Sequence, residues 1–94
     1  MYILQIEHPV PNFDAWKKAF DNDPVKREQS GVRRYRVLRP IDDPNYIIVD
    51  LEFNSLSEAE TFRTALHNLW RRVEGKVMEN PRARIVEAVE SKEY

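Results

Sequence analysis

Cysteine is absent from this 94-residue chain, which excludes disulfides, zinc–thiolate sites and thiol nucleophiles. Glycine is nearly absent too: Gly31 and Gly75 are the only two, and no Gly-rich phosphate loop or nucleophile elbow can be found. No apolar run approaches the roughly 20 residues of a membrane span. The first residues lack the basic region and apolar core of a signal peptide. Neither sign of charge dominates: 15 Lys and Arg stand against 16 Asp and Glu, a net charge of −1, so nothing draws the chain generally to nucleic acid or anionic membrane. His8 and His67, the only histidines, show no metal-ligand spacing with carboxylates. From these absences we expect a cytoplasmic protein with no metal, no cofactor, no nucleic-acid partner and no membrane partner.

What is present is the pattern of one small globular domain, residues 1–94, with 41% hydrophobic and 33% charged residues. Residues 32–39 and 46–53 are β-rich runs around Pro40-Ile-Asp-Asp-Pro-Asn45, which reads as a hairpin with a longer loop. By alternation, Arg34, Arg36 and Leu38 share one face, and Arg33, Tyr35, Val37 and Arg39 the other. On the second strand Ile47, Val49, Leu51 and Phe53 make a wholly apolar face, with Tyr46, Ile48, Asp50 and Glu52 opposite. A loop centred near Asp43 sets Arg36 across from Asp50 and Arg34 across from Glu52. Such pairs help fix register at roughly 0.2–1 kcal/mol each.

Residues 2–7 read as a first strand, ended by His8-Pro-Val-Pro11. Asn12 is a helix N-cap, followed by Phe13, Trp16 and Phe20 at helical spacing up to about residues 21–24. Residues 25–30 are polar and fit either a loop or a short helical turn, and Gly31 introduces the hairpin. Ser55 and Glu58 form a capping box before an apolar stripe of Leu56, Ala59, Phe62, Leu66, Leu69 and Val73. An unbroken helix from there to Glu79 would run about 36 Å, against roughly 27 Å for an eight-residue strand. We therefore expect a break near Leu69–Arg71 and a short second helix, with Gly75 and Asn80-Pro81 marking the exit. Residues 82–89 form the last strand.

The order β-α-β-β-α-β is the ferredoxin-like arrangement, an α+β fold with a four-stranded antiparallel sheet and both helices on one face. The other face carries Tyr46 and Ile48 beside Asp50, Arg34 and Arg36, and no element remains to cover it. Contiguous apolar surface of this kind marks an interaction site, so these five residues are expected at a two-fold, sheet-to-sheet homodimer interface.

With that topology in view, Phe13-Asp-Ala-Trp-Lys-Lys-Ala-Phe20, Gly31-Val-Arg-Arg-Tyr-Arg36, Asp50-Leu-Glu-Phe53 and Ser55-Leu-Ser-Glu-Ala-Glu-Thr-Phe62 carry a likeness across nearly the whole chain. It resembles the dimeric α/β-barrel superfamily that includes antibiotic-biosynthesis monooxygenase-like proteins, and most of all its small uncharacterised bacterial members. The resemblance implies a barrel closed by two sheets and a pocket between each sheet and its own helices. Some members oxidise aromatic polyketides without a cofactor; others degrade haem, using an Asn near the end of the first strand with a Trp and a His from the helices. Here that strand ends in Glu7-His8 and Asn12 lies beyond two prolines, so the Asn match fails.

The resulting expectation is a small hydrophobic or aromatic ligand, handled by cofactor-independent, monooxygenase-like oxidation. Trp16, Trp70, Phe13 and Phe20 would line its pocket with His8 and Asn12. His67 and Tyr35 would hydrogen-bond the substrate or take its proton, His67 because imidazole titrates near neutrality. Each has a plainer reading: aromatics at helical spacing are commonly core, and a lone histidine is commonly a surface or strand-end residue. The alternative is a non-catalytic ligand-binding or stress-associated dimer. A hollow of about 300 Å³ or more beside His67 favours the enzyme, and a solid core favours the alternative.

Overall fold

The computed structural model describes residues 1–73 and 81–94. The order is β1 (Tyr2–Pro9), α1 (Phe13–Asp21), β2 (Val32–Leu38), β3 (Tyr46–Phe53), α2 (Leu56–Val73) and β4 (Arg82–Glu87). All neighbouring strands are antiparallel, in the order β2-β3-β1-β4. β1 and β3 are central, and they are the most regularly alternating strands. Leu4, Ile6 and His8 of β1 and Ile47, Val49, Leu51 and Phe53 of β3 point to one buried face. Trp16 of α1 and Ala59, Phe62 and Trp70 of α2 close over it, each large apolar side chain worth about 1.5–3 kcal/mol on burial.

Both helix starts form by side-chain capping. The Asn12 carbonyl oxygen accepts from Ala15 N–H at 3.0 Å, satisfying one orphan donor of the first turn. Glu58 N–H donates to Ser55 Oγ at 3.3 Å, which is one half of the capping box. The Glu58 carboxylate turns instead toward Gly31, whose φ of +104° is a left-handed conformation that suits glycine. Residues between α1 and β2 form turns rather than a helix.

The hairpin register is the one its charges imply. Arg36 pairs with Asp50 and Arg34 with Glu52. Arg34 Nε and Nη2 hold both Glu52 oxygens, at 2.8 and 3.1 Å, and Arg36 Nη2 donates to Asp50 Oδ2 at 3.0 Å. A bulge between Val32 and Arg34 interrupts the alternation. It leaves Arg33 as the extra residue and returns Val32 to the helix side, where it is buried beside Phe53.

One expectation is corrected. α2 runs unbroken through Leu69, Trp70 and Arg71, because nothing there interrupts a helix: no proline removes a donor and no glycine loosens the chain. Its 18 residues span about 27 Å at the normal rise, already the length of the strands beneath. The expected short second helix and its exit at Gly75 and Asn80 lie outside the described residues.

On the far face of the sheet stand Ile3, Gln5 and Glu7 of β1, Tyr46, Ile48, Asp50 and Glu52 of β3, Arg34, Arg36 and Leu38 of β2, and Arg82, Arg84 and Val86 of β4. No described element covers this face. Its polar groups pair sideways: Tyr46 Oη donates to Glu7 Oε1 at 2.7 Å, and Arg84 Nε to Gln5 Oε1 at 3.0 Å. That bond to Glu7 is the main reason the Tyr46 hydroxyl holds its proton above the ordinary phenol range.

Candidate ligand-binding site

Between the sheet and the two helices lies a hollow of about 240 Å³. Its floor is Ile6, His8, Ile47, Val49 and Leu51; α1 supplies Trp16 and Phe20, and α2 supplies Phe62, Leu66 and Trp70. The sequence makes this wall by three periodicities. Every second residue of β1 and β3 faces down, Trp16 and Phe20 are four apart on α1, and Phe62, Leu66 and Trp70 are four apart on α2. Trp16 and Phe20 stack with centroids 5.0 Å apart. A more open hollow of about 380 Å³ lies against Arg27, Arg33 and Arg34, but its lining is mostly charged.

His8 is the polar exception in the wall. It is 2% exposed, and its ring meets Trp16 edge-on, 6.3 Å between centroids. Nδ1 lies 3.0 Å from the Pro9 carbonyl oxygen, which can only accept, so Nδ1 carries the proton and Nε2 the lone pair. Burial lowers the imidazole pKa, against the smaller opposing pull of the Pro9 hydrogen bond, so the ring is neutral at pH 7. Neutral, it offers a guest an acceptor.

The rim is an ion pair. Arg27 lies over the Phe20 ring at 3.9 Å and 5.0 Å from the Tyr35 centroid. Its Nη1 donates to the Phe20 carbonyl at 2.8 Å and stands 3.4 Å from Asp23 Oδ1. Asp23 and Lys26 both adopt a left-handed φ of 53° without being glycine, so the rim turn carries local strain of about 1–2 kcal/mol per residue.

The expected site residues divide. Trp16, Phe20, Trp70 and His8 come together in the wall. Phe13 stands behind it, 5.9 Å from Trp16 and beneath the Arg39 guanidinium at 4.3 Å. Asn12 is occupied as the α1 cap. His67 is exposed and lies outside the wall, its ring against Trp70 at 5.3 Å. Tyr35 is 43% exposed, edge-on to Phe20 at 5.2 Å. The hollow is thus smaller than the 300 Å³ mark and adjoins His8 rather than His67. No sequence pattern marks Arg27 and Asp23, because only the turn after α1 brings them to the rim. His8 had a signal: it shares the alternating face of Leu4 and Ile6. Among the described residues, no group of three or more histidine or carboxylate side chains could hold a metal ion. No helix among them is long and apolar enough to cross a membrane.

No protein-family model matches the sequence, and no curated protein does. Solved structures do. A protein of Nitrosomonas europaea, provisionally assigned as an antibiotic biosynthesis monooxygenase, superposes with a TM-score of 0.69 at 23% identity, over 96% of this chain and 100% of that one. SnoaB, a cofactor-independent oxygenase from Streptomyces nogalater, gives 0.75 at 14% identity, over 96% of this chain and 94% of that one. This is the antibiotic biosynthesis monooxygenase-like fold. A variant of MhuD with two manganese protoporphyrin IX bound per active site shares it, with a TM-score of 0.74 at 16% identity over the full length of both chains. So does a Nitrosomonas europaea protein of unknown function. At such identities the likeness is one of fold, and the chemistry of this chain rests on its own residues.

Proposed function

We propose that this chain binds a small aromatic or hydrophobic molecule between its sheet and helices and acts on it as a cofactor-independent, monooxygenase-like enzyme, working in the cytoplasm as a homodimer. The observation that carries the reading is the hollow itself: an aromatic wall of Trp16, Phe20 and Trp70 interrupted by one buried, neutral histidine. Such a wall binds a flat apolar ring by stacking and dispersion. In a catalytic cycle His8 Nε2 would take a proton from the bound substrate. His67 and Tyr35 would act from behind the wall, seating Trp70 and Phe20. SnoaB, which shares this fold, is a cofactor-independent oxygenase, and that supports oxidation as the chemistry.

What supports the dimer is the uncovered face. Ile3, Tyr46, Ile48 and Val86 are half-buried there, and Asp50 is 7% exposed with Oδ1 lacking a partner among the described residues. A second copy would cover the apolar residues and offer donors to that oxygen. Binding without turnover is the second reading, favoured by His8 being, among the described residues, the one titratable group in the wall not committed to an ion pair. Dioxygen uptake with a hydroquinone decides between them: uptake that falls in His8→Phe supports catalysis. Saturable binding with no uptake at any pH from 6 to 9 supports the second.

A further inference from the structure

Resting on that pocket reading, we infer that His8 is a specificity residue, selecting an uncharged aromatic of one or two fused rings that carries a hydroxyl able to donate to Nε2. Size comes first. An apolar protein cavity of about 150 Å³ takes benzene, and this hollow, at about 240 Å³, is about half as large again, the step from one ring to two fused rings. It falls below the roughly 300 Å³ at which drug-sized sites begin. Charge comes second. Arg27 and Asp23 neutralise each other at the rim, and the guanidinium is further held over Phe20 and by the Phe20 carbonyl. A carboxylate guest would have to displace Asp23 and then enter an apolar wall, where an unpaired charge is costly.

The polar contact comes third. The Pro9 carbonyl holds the His8 Nδ1 proton, and Nε2 has no hydrogen-bond partner among the described residues. Within the apolar body of the wall it is an acceptor with no donor. A hydroxyl guest supplies that donor, and an unsubstituted hydrocarbon leaves Nε2 unpaired. Discrimination of this kind works through the penalty on the unmatched pair.

The test is equilibrium dialysis of the whole protein at pH 7.5 with naphthalene, 1-naphthol and 1-naphthoate. Wild-type protein should bind 1-naphthol about three- to tenfold tighter than naphthalene, the gain from one net hydrogen bond. Naphthoate should bind at least about tenfold more weakly than naphthol, the cost of an unpaired buried charge. In His8→Phe, which keeps a ring and removes both nitrogens, the preference should reverse, because the hydroxyl is then buried without a partner. His8→Gln, which keeps an acceptor, should retain part of it. Equal wild-type affinities for naphthol and naphthalene, or a preference that survives in His8→Phe, overturn the inference and leave the pocket reading intact. Naphthoate binding tighter than naphthol overturns it too, and assigns recognition to Arg27. No binding of any of the three overturns the pocket reading, and the inference with it.

Discussion

Acid should weaken this fold through His8, and the size of the loss can be bounded. The buried imidazole has its pKa lowered from an ordinary value of 6.5, so the unfolded chain takes up a proton at a higher pH than the folded one. Stability rises with pH wherever the unfolded state binds more protons. The His8 contribution is therefore flat above about pH 6.5 and declines as pH falls from there toward the lowered native value. Its slope in that window cannot exceed about 1.36 kcal/mol per pH unit. At pH 5.5 the loss can reach at most about 1.4 kcal/mol, the limit set by a folded ring that takes up no proton there. That is a substantial share of the roughly 5–15 kcal/mol typical of whole domains, and in a chain of this length it corresponds to a melting temperature lower by about 6–11 °C.

The assay is urea unfolding followed by circular dichroism at pH 7.5, 6.5 and 5.5, on wild type and on His8→Asn. Asparagine can still donate to the Pro9 carbonyl but does not titrate. Surface carboxylates and the exposed His67 are present in both proteins, so they cancel in the difference. Wild type should lose up to about 1.4 kcal/mol more than the variant between pH 7.5 and 5.5. Parallel pH profiles for the two proteins would refute the reasoning, since His8 would then carry its proton equally well folded and unfolded.

Other expectations follow from single contacts. Gly31→Ala places a Cβ 2.6 Å from Glu58 Oε2 at a φ of +104° and should cost about 1–3 kcal/mol by denaturant unfolding. Adding Glu58→Ala should recover only the steric share, because the backbone conformation stays unfavourable. Asn12→Ala removes the α1 cap and should cost about 1 kcal/mol, with Asn12→Asp close to neutral; equal losses in both would mean the cap bond contributes nothing. Ile48→Arg puts a charge at the uncovered face and should dissociate the proposed dimer in sedimentation at micromolar concentration, leaving a folded monomer. A wild-type protein already monomeric there removes the dimer altogether.

Most of the architecture was legible in the chain because it rests on local patterns. Alternation in residues 2–7 and 46–53 names the strands and their inward faces. The Asn12 and Ser55 caps locate the helix starts, and Arg34 and Arg36 opposite Glu52 and Asp50 anticipate the hairpin register. Each of these needs only neighbours in sequence or one cross-strand pair. The run of α2 was less legible: strand length suggests a break near Leu69–Arg71, whereas the helix continues through Val73, where no proline or glycine interrupts it.

The site depended on tertiary structure. Whether aromatic side chains fill a core or leave a hollow is decided by how α1, α2, β1 and β3 meet, and no periodicity within one element encodes the volume left between four. His67 and His8 are the same residue type with the same ordinary chemistry. One faces solvent beside Trp70, and the other is enclosed beside Trp16 with its proton held by Pro9. Local sequence set the inward face on which His8 lies, and packing from distant parts of the chain removed its water and made it a neutral acceptor.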